Sequence, residues 1–247
     1  GESALYDFDG DGRQEIITRT RDLINHLAHN IYIVKGTSSM AAGWPKSFNQ
    51  YIHMPAAGDV DGDGVAEIVA LLDLSFAGPT ESRIVILNSN GATKQEFKVA
   101  AFSGISDNVL LADVDADGMR EIGYTTTGHI AFYNADGSLV SGWPFAADGP
   151  GAITATDILN DVMLDVITHF EKFTPPYDDF VTVIAGGGRE LSGWPQDPLG
   201  SSVRIKSQTA DITGDGVPEI FATTDAGLLY AWDSAGRIID NFPLEMD

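Results

Sequence analysis

Asp59-Val60-Asp61-Gly62-Asp63-Gly64-Val65-Ala66-Glu67-Ile68 is the stretch on which the reading of this chain turns. Its carboxylates stand at positions 1, 3, 5 and 9, with glycine at position 6. A hard cation such as Ca²⁺ takes six to eight oxygens at about 2.3–2.6 Å, and a tight loop of alternating aspartates supplies them. In such a loop Asp59, Asp61 and Asp63 point inward, the carbonyl of Val65 adds a neutral oxygen and Glu67 closes the far side. Gly64 permits the sharp turn that a side chain would strain. Glu67 runs straight into Ile68-Val69-Ala70-Leu71-Leu72, an apolar run that reads as a buried strand.

A helical calcium hand opens in the same way but places a bidentate glutamate at position 12. Position 12 here is Ala70, inside the strand, and neither flank has a helical period. The site is therefore of strand–loop–strand type.

The loop recurs at Asp7, Asp59, Asp113, Asp157 and Asp211. The first copy offers Asp7, Asp9, Asp11, the Arg13 carbonyl and Glu15; the third offers Asp113, Asp115, Asp117, the Met119 carbonyl and Glu121. Both are complete. The fifth keeps Asp211, Asp215, the Val217 carbonyl and Glu219 but has Thr213 at position 3, so weaker binding is expected there. In the fourth, Leu159 and Val162 replace a ligand and the turn glycine, and no metal is expected. Asp-Gly pairs also make good turns without any ion. Turns alone require neither a carboxylate at every odd position nor an acid three residues after the glycine. The expected cofactor is Ca²⁺ at three sites, with a fourth possible.

A second feature keeps step with the first. Gly43-Trp44-Pro45, Gly142-Trp143-Pro144 and Gly193-Trp194-Pro195 follow the loops at similar distances, and Asn241-Phe242-Pro243 takes that place at the end. The second unit lacks the triplet, and Phe97 is its nearest substitute. At a fixed place in each repeat, the large ring is expected to fill space between neighbouring units rather than to form a sugar platform. Proline suits an outer edge strand, where it offers no hydrogen to an intruding chain.

Between these landmarks each unit has short strands. One follows each metal loop: Glu15–Thr20, Glu67–Asp73, Glu121–Thr126, Asp165–Phe170 and Glu219–Thr224. A next one is expected at Ile31–Lys35, Arg83–Leu87, His129–Tyr133, Val181–Ala185 and Leu228–Trp232, followed by hairpin turns such as Asn134-Ala135-Asp136-Gly137. The Trp-Pro segment makes an outer strand, and segments such as His53–Ala57 and Val109–Ala112 precede the loops. Four strands in about fifty residues describe a propeller blade.

The Asp-x-Asp-Gly-Asp-Gly-x-x-Glu-Ile loops resemble the FG-GAP/VCBS-type repeats of calcium-binding β-propellers, including integrin α subunits and some secreted lectins. The resemblance implies an all-β chain, a β-propeller of four-stranded antiparallel blades, with Ca²⁺ between the first and second strands of a blade. Such propellers commonly have seven blades. The units here number five, at approximately 1–50, 51–104, 105–150, 151–203 and 204–247, which favours one five-bladed domain over a fragment of a seven-bladed one.

At 247 residues the chain can bury a substantial core, and 43% hydrophobic content argues against disorder. With Lys+Arg 14 against Asp+Glu 36 the net charge is −22, so no basic face exists to neutralise nucleic-acid phosphates. The absence of cysteine excludes disulfides and thiolate metal sites. No apolar run has membrane length, so membrane insertion is not expected. The chain opens on Gly1-Glu2-Ser3 and enters a motif at once, so it reads as a mature or excised piece.

Three units carry long insertions between their second and third strands, at Arg21–Asn30, Leu74–Ser82 and Glu171–Asp179. They hold His26, His29, Phe76, Phe173 and Tyr177, with Tyr51, His53 and Phe102 in nearby links. Aromatics and histidines on long loops over a rigid scaffold suit a ligand site, although packing of the loops accounts for each residue singly. His26 and His29, joined by His53 or His169, also form the beginnings of a zinc site, which five histidines in the chain make easy by chance. The expected function is an extracellular or cell-surface binding module for a glycan or protein, without catalytic residues. One alternative is a polysaccharide lyase or hydrolase acting through Glu171, Asp178 or Asp179, since glycoside hydrolysis takes two carboxylates about 5–10 Å apart. Another is a structural or targeting module of a larger secreted protein.

Overall fold

The regular succession of apolar strands and Asp-Gly turns folds into five antiparallel sheets in the computed structural model. The structure describes residues 3–21, 29–73, 82–99, 109–171, 179–199, 202–203 and 206–246. No helix occurs among them. The chain divides into two compact units, one of residues 1–111, 118–123 and 133–138, the other of residues 112–117, 124–132 and 139–247.

The first sheet is ordered β1 (Ser3–Tyr6), β2 (Glu15–Arg21), β3 (His29–Val34) and β4 (Lys46–Phe48). In the second, β5 (Tyr51–Ile52) and β6 (Ala56–Gly58) both pair with β7 (Glu67–Asp73), followed by β8 (Ser82–Leu87) and β9 (Thr93–Val99). The third is β10 (Leu110–Ala112), β11 (Glu121–Thr125), β12 (His129–Tyr133) and β13 (Phe145–Ala146). The fourth is β14 (Thr154–Thr156), β15 (Asp165–Glu171), β16 (Asp179–Ala185) and β17 (Arg189–Glu190). The fifth is β18 (Gln208–Ala210), β19 (Glu219–Thr223), β20 (Leu228–Trp232) and β21 (Leu244–Glu245). The four-stranded sheets thus run in chain order, each strand paired with the next.

Of the segment expected as one strand, His53–Ala57, only Ala56 and Ala57 are in a strand, β6; β5 ends before it at Ile52, and Pro55 lies in the gap between them. Proline has no amide hydrogen for the ladder, so pairing with β7 stops and resumes. The long insertions are shorter than expected because the strands run further into them. Arg21 pairs with His29 in the first sheet, and Glu171 pairs with Asp179 in the fourth.

Within the first unit, Ile17, Ile31 and Ile33 of the first sheet pack with Ile68, Ala70 and Val85 of the second. Within the second unit, Ile167, Val181 and Val183 of the fourth sheet pack with Ile220, Tyr230 and Trp232 of the fifth. Alternate residues of each strand supply these contacts, as a sheet covered on its faces requires.

The Gly-Trp-Pro triplets join sheet to sheet. Trp44 Nε1 donates to the carbonyl of Ser89 at 3.0 Å, in the hairpin between β8 and β9. Trp143 donates to Gly186 at 2.8 Å and Trp194 to Ser234 at 3.0 Å, each in the corresponding hairpin of the following sheet. All three rings are buried. The preceding glycine must be glycine: Gly43 has φ +89°, and a Cβ there would lie 2.0 Å from the Asn90 carbonyl oxygen. Where the triplet is missing, Phe97 does the packing, and a Cβ on Gly137 of the next hairpin would come 2.8 Å from its ring.

Candidate metal centres

In every sheet the position-9 acid is the first residue of the strand that follows the loop, and in all five sheets that residue is buried: Glu15, Glu67, Glu121, Asp165 and Glu219. A buried carboxylate needs hydrogen bonds or a cation. One oxygen reaches back to the amide at loop position 2. Phe8 N donates to Glu15 Oε2 at 2.8 Å, Val60 N to Glu67 Oε2 at 3.3 Å and Ile212 N to Glu219 Oε2 at 2.8 Å.

The position-1 aspartate closes the turn. Asp59 accepts from Gly62 N at 2.7 Å and Gly64 N at 2.8 Å, and Asp211 accepts from Gly214 N at 2.7 Å and Gly216 N at 2.9 Å. Asp7 accepts from Gly12 N at 2.9 Å through Oδ2 alone. Its Oδ1 is buried without a hydrogen-bond partner. An orphaned buried carboxylate oxygen beside further carboxylates fits a cation, because nothing else there offsets its desolvation.

The side-chain oxygens converge in four loops. Asp113, Asp115, Asp117 and Glu121 each place one donor atom within 4.8 Å of all the others. The same holds for Asp7, Asp9 and Glu15, for Asp59, Asp61 and Glu67, and for Asp211, Asp215 and Glu219. Each cluster can hold a metal ion, and an all-oxygen donor set suits a hard one. Asp11 and Asp63 are not in those groups; each accepts an amide two residues on, from Arg13 N at 2.9 Å and Val65 N at 2.8 Å. Thr213 donates its hydroxyl to Glu219 Oε1 at 3.2 Å, so the fifth loop has a neutral group where the others have a charge. The fourth loop forms no such cluster among the described residues.

A lysine belongs to the second loop that its motif does not reveal. Lys94 Nζ contacts Asp61, Asp63 at 2.9 Å and Glu67 at 2.8 Å. Burial opposes its charge, but the three carboxylates outweigh that and raise its pKa. For Glu67, burial comes first and raises the pKa against the pull of Lys94 and the Val60 amide. In the first loop Lys35 Nζ meets Asp9 alone, at 2.5 Å.

At the opposite ends of the strands the picture is different. His29, expected on a loop, lies buried in β3 with its ring edge-on to Tyr51, 5.5 Å between centroids. Tyr51 is 4.9 Å from His53, and Arg19 lies over the Tyr51 ring while donating to the Ile52 carbonyl at 2.7 Å. His53 Nε2 is 4.0 Å from Asp73 Oδ2. His26, Phe76, Phe102, Phe173, Tyr177 and Asp178 lie outside the described residues. No histidine joins a cluster of three metal-binding groups among the described residues.

Residues 7–70 match the family model for the FG-GAP-like repeat. This stretch is similar to an FG-GAP-like repeat. No curated protein matches the chain in sequence. Among solved structures, the V. cholerae biofilm matrix protein Bap1 superposes with TM-score 0.63 at 19% identity, over 98% of this chain and 38% of that one. BBS1N, solved in complex with ARL6DN, gives 0.61 at 13% identity, over 99% and 68%. The Dos1 propeller gives 0.53 at 12% identity, over 94% and 59%. At such identities the likeness shows the fold, a β-propeller, and the chain spans 38% of the length of Bap1. No helix among the described residues is long and apolar enough to cross a membrane.

Proposed function

We propose that this FG-GAP-type chain is a calcium-stabilised, extracellular propeller module that binds a glycan or a protein. The observation that carries the reading is the convergence of carboxylate oxygens in four loops, each built on a buried acid at the start of a strand. Calcium there is structural: it would be held by Asp7, Asp9 and Glu15, by Asp59, Asp61 and Glu67, by Asp113, Asp115, Asp117 and Glu121, and more weakly by Asp211, Asp215 and Glu219. The carbonyls of Arg13, Val65, Met119 and Val217 complete the shells, together with Asp11 and Asp63 once the ion draws them in. Bound Ca²⁺ supplies charge neutralisation that ties the loop to the strand.

Calcium is scarce inside cells and plentiful outside, which suits a protein whose fold leans on three or four such loops. Bap1, which shares the fold, is a biofilm matrix protein. The net charge of −22 favours a glycan or protein ligand over nucleic acid. Ligand binding is assigned to the strand ends opposite the metal loops, where Arg19, His29, Tyr51 and His53 gather, together with His26, Phe76, Phe173 and Tyr177 of the insertions, which lie outside the described residues.

A glycan-array screen of the calcium-loaded chain, with each hit assayed for depolymerisation, tests the reading. Saturable binding without product, weakened by Tyr51→Ala or Tyr177→Ala, is the expected result. Release of shortened oligosaccharides would replace it with a polysaccharide-cleaving enzyme.

A further inference from the structure

In the second loop a cation of the chain itself touches three of the carboxylates, where in the first it touches one. Lys94 contacts Asp61, Asp63 and Glu67, two of which are in the convergent cluster with Asp59. The contact is built by the backbone. In the pairing of β8 with β9, Ile86 faces Gln95 and Leu87 faces Thr93, so Lys94 is an extra residue without a partner in the ladder. A β-bulge of this kind re-aims a side chain, and here it directs the ammonium into the metal loop. Lys35, by contrast, reaches the first loop from a regular strand end and touches only Asp9.

We propose that Lys94 is a tethered counter-ion that competes with Ca²⁺ for the second loop. This loop then binds metal more weakly than the first and third, and keeps its shape without it. The inference rests on the calcium reading of the loops. A divalent ion and an ammonium cannot share Asp61 and Glu67, because like charges a few ångströms apart repel strongly away from bulk water. For the ion to enter, Lys94 must leave. It has somewhere to go: a cleft of about 280 Å³ adjoins it, lined by Val60, Asp61, Ile86, Gln95, Ala135 and Asp136. The Asp136 carboxylate in that cleft can receive the displaced ammonium.

Calcium titration calorimetry on the whole chain separates the possibilities, with melting measured in EDTA alongside. The wild type should show tight binding equivalent to the first and third loops and weaker binding beyond. Lys94→Met should add a tight site, about tenfold or more stronger than before, and adding Asp59→Ala should abolish that site. In EDTA the same variant should melt below the wild type, because its carboxylates lose the Lys94 cation. Lys94→Gln, which keeps a polar neutral group of similar length, provides the same comparison if the methionine variant does not fold. An affinity profile unchanged by either substitution would overturn the competition while leaving the calcium reading standing. Absence of calcium binding in wild type and variants alike would overturn both.

Discussion

The fourth loop and the first share a backbone plan and differ in what that plan can hold. In both, the position-1 aspartate accepts the amide at position 6: Gly12 N to Asp7 at 2.9 Å, Val162 N to Asp157 at 3.1 Å. In both, the closing acid accepts the amide at position 2, from Phe8 N at 2.8 Å and Ile158 N at 2.9 Å. Yet the fourth has Leu159 for the second carboxylate and Val162 for the turn glycine. Its Val162 sits at φ +81°, close to the +83° of Gly12, a conformation that a β-branched residue adopts only under strain. The shape of the loop is therefore written by aspartate–amide hydrogen bonds and survives without metal chemistry, whereas the cation site needs the extra carboxylates.

The sharpest way to break the comparison is to remove the position-1 aspartate from each loop. Asp7→Ala and Asp157→Ala should both lose about 1–3 kcal/mol in EDTA, since each leaves turn amides unsatisfied. In calcium only Asp7→Ala should lose more, by about 2.7 kcal/mol for a site held at a hundredfold excess over its Kd. Denaturant unfolding in both conditions measures this, and equal losses in calcium would erase the distinction between the loops. Smaller in size is the effect of Val162→Gly. Relief of the left-handed strain, less the entropy glycine loses on folding, should stabilise the chain by about 1 kcal/mol. The reverse exchange, Gly12→Val, should destabilise it.

The smallest effect should appear with pH. Burial raises the Asp165 carboxyl above the ordinary aspartate range, reinforced by Asp161 and opposed by the Ile158 and Leu159 amides. The native state thus binds this proton more tightly than the unfolded chain does. The contribution to stability is fully present below the unfolded pKa and is lost as pH rises through the folded one. Asp165→Asn, which keeps an acceptor for the two amides, should gain stability at neutral pH and none in acid. Melting curves of wild type and variant across the acid range, both in EDTA so that no metal competes with protons and the other loops titrate alike in the two, would show the gap between them opening as pH rises.

Much of this fold is legible in the sequence because its signals are local. An apolar run after a glycine-rich acidic turn gives Glu67–Asp73 its observed limits, and His129–Tyr133 and Leu228–Trp232 coincide with their strands because each follows a tight turn, at Gly128 and Gly227. The packing role of the tryptophans could be read from their fixed place in the repeat; the indole bond to the next hairpin could not. The metal loops were visible as spacing, but which oxygens are spent on amides depends on turn geometry, as Asp11 and Asp63 show. Lys94 was hidden altogether. It lies 27 residues from Glu67, and only a one-residue irregularity in strand pairing brings the two together. His29 was misplaced because a histidine beside polar residues reads as loop, while tertiary pairing with Arg21 carries the strand through it.

The indole-to-hairpin bond also says something about how such a chain can grow or be rebuilt. The hairpin of one sheet is shaped to receive the triplet of the sheet before it, down to a glycine whose Cβ would lie 2.0 Å from a carbonyl. The interchangeable part is consequently not the sheet. It is the stretch running from one Gly-Trp-Pro through the outer turn of the sheet that follows. Duplication or transplantation with cuts between sheets would separate lock from key, whereas cuts in mid-sheet would carry both halves together.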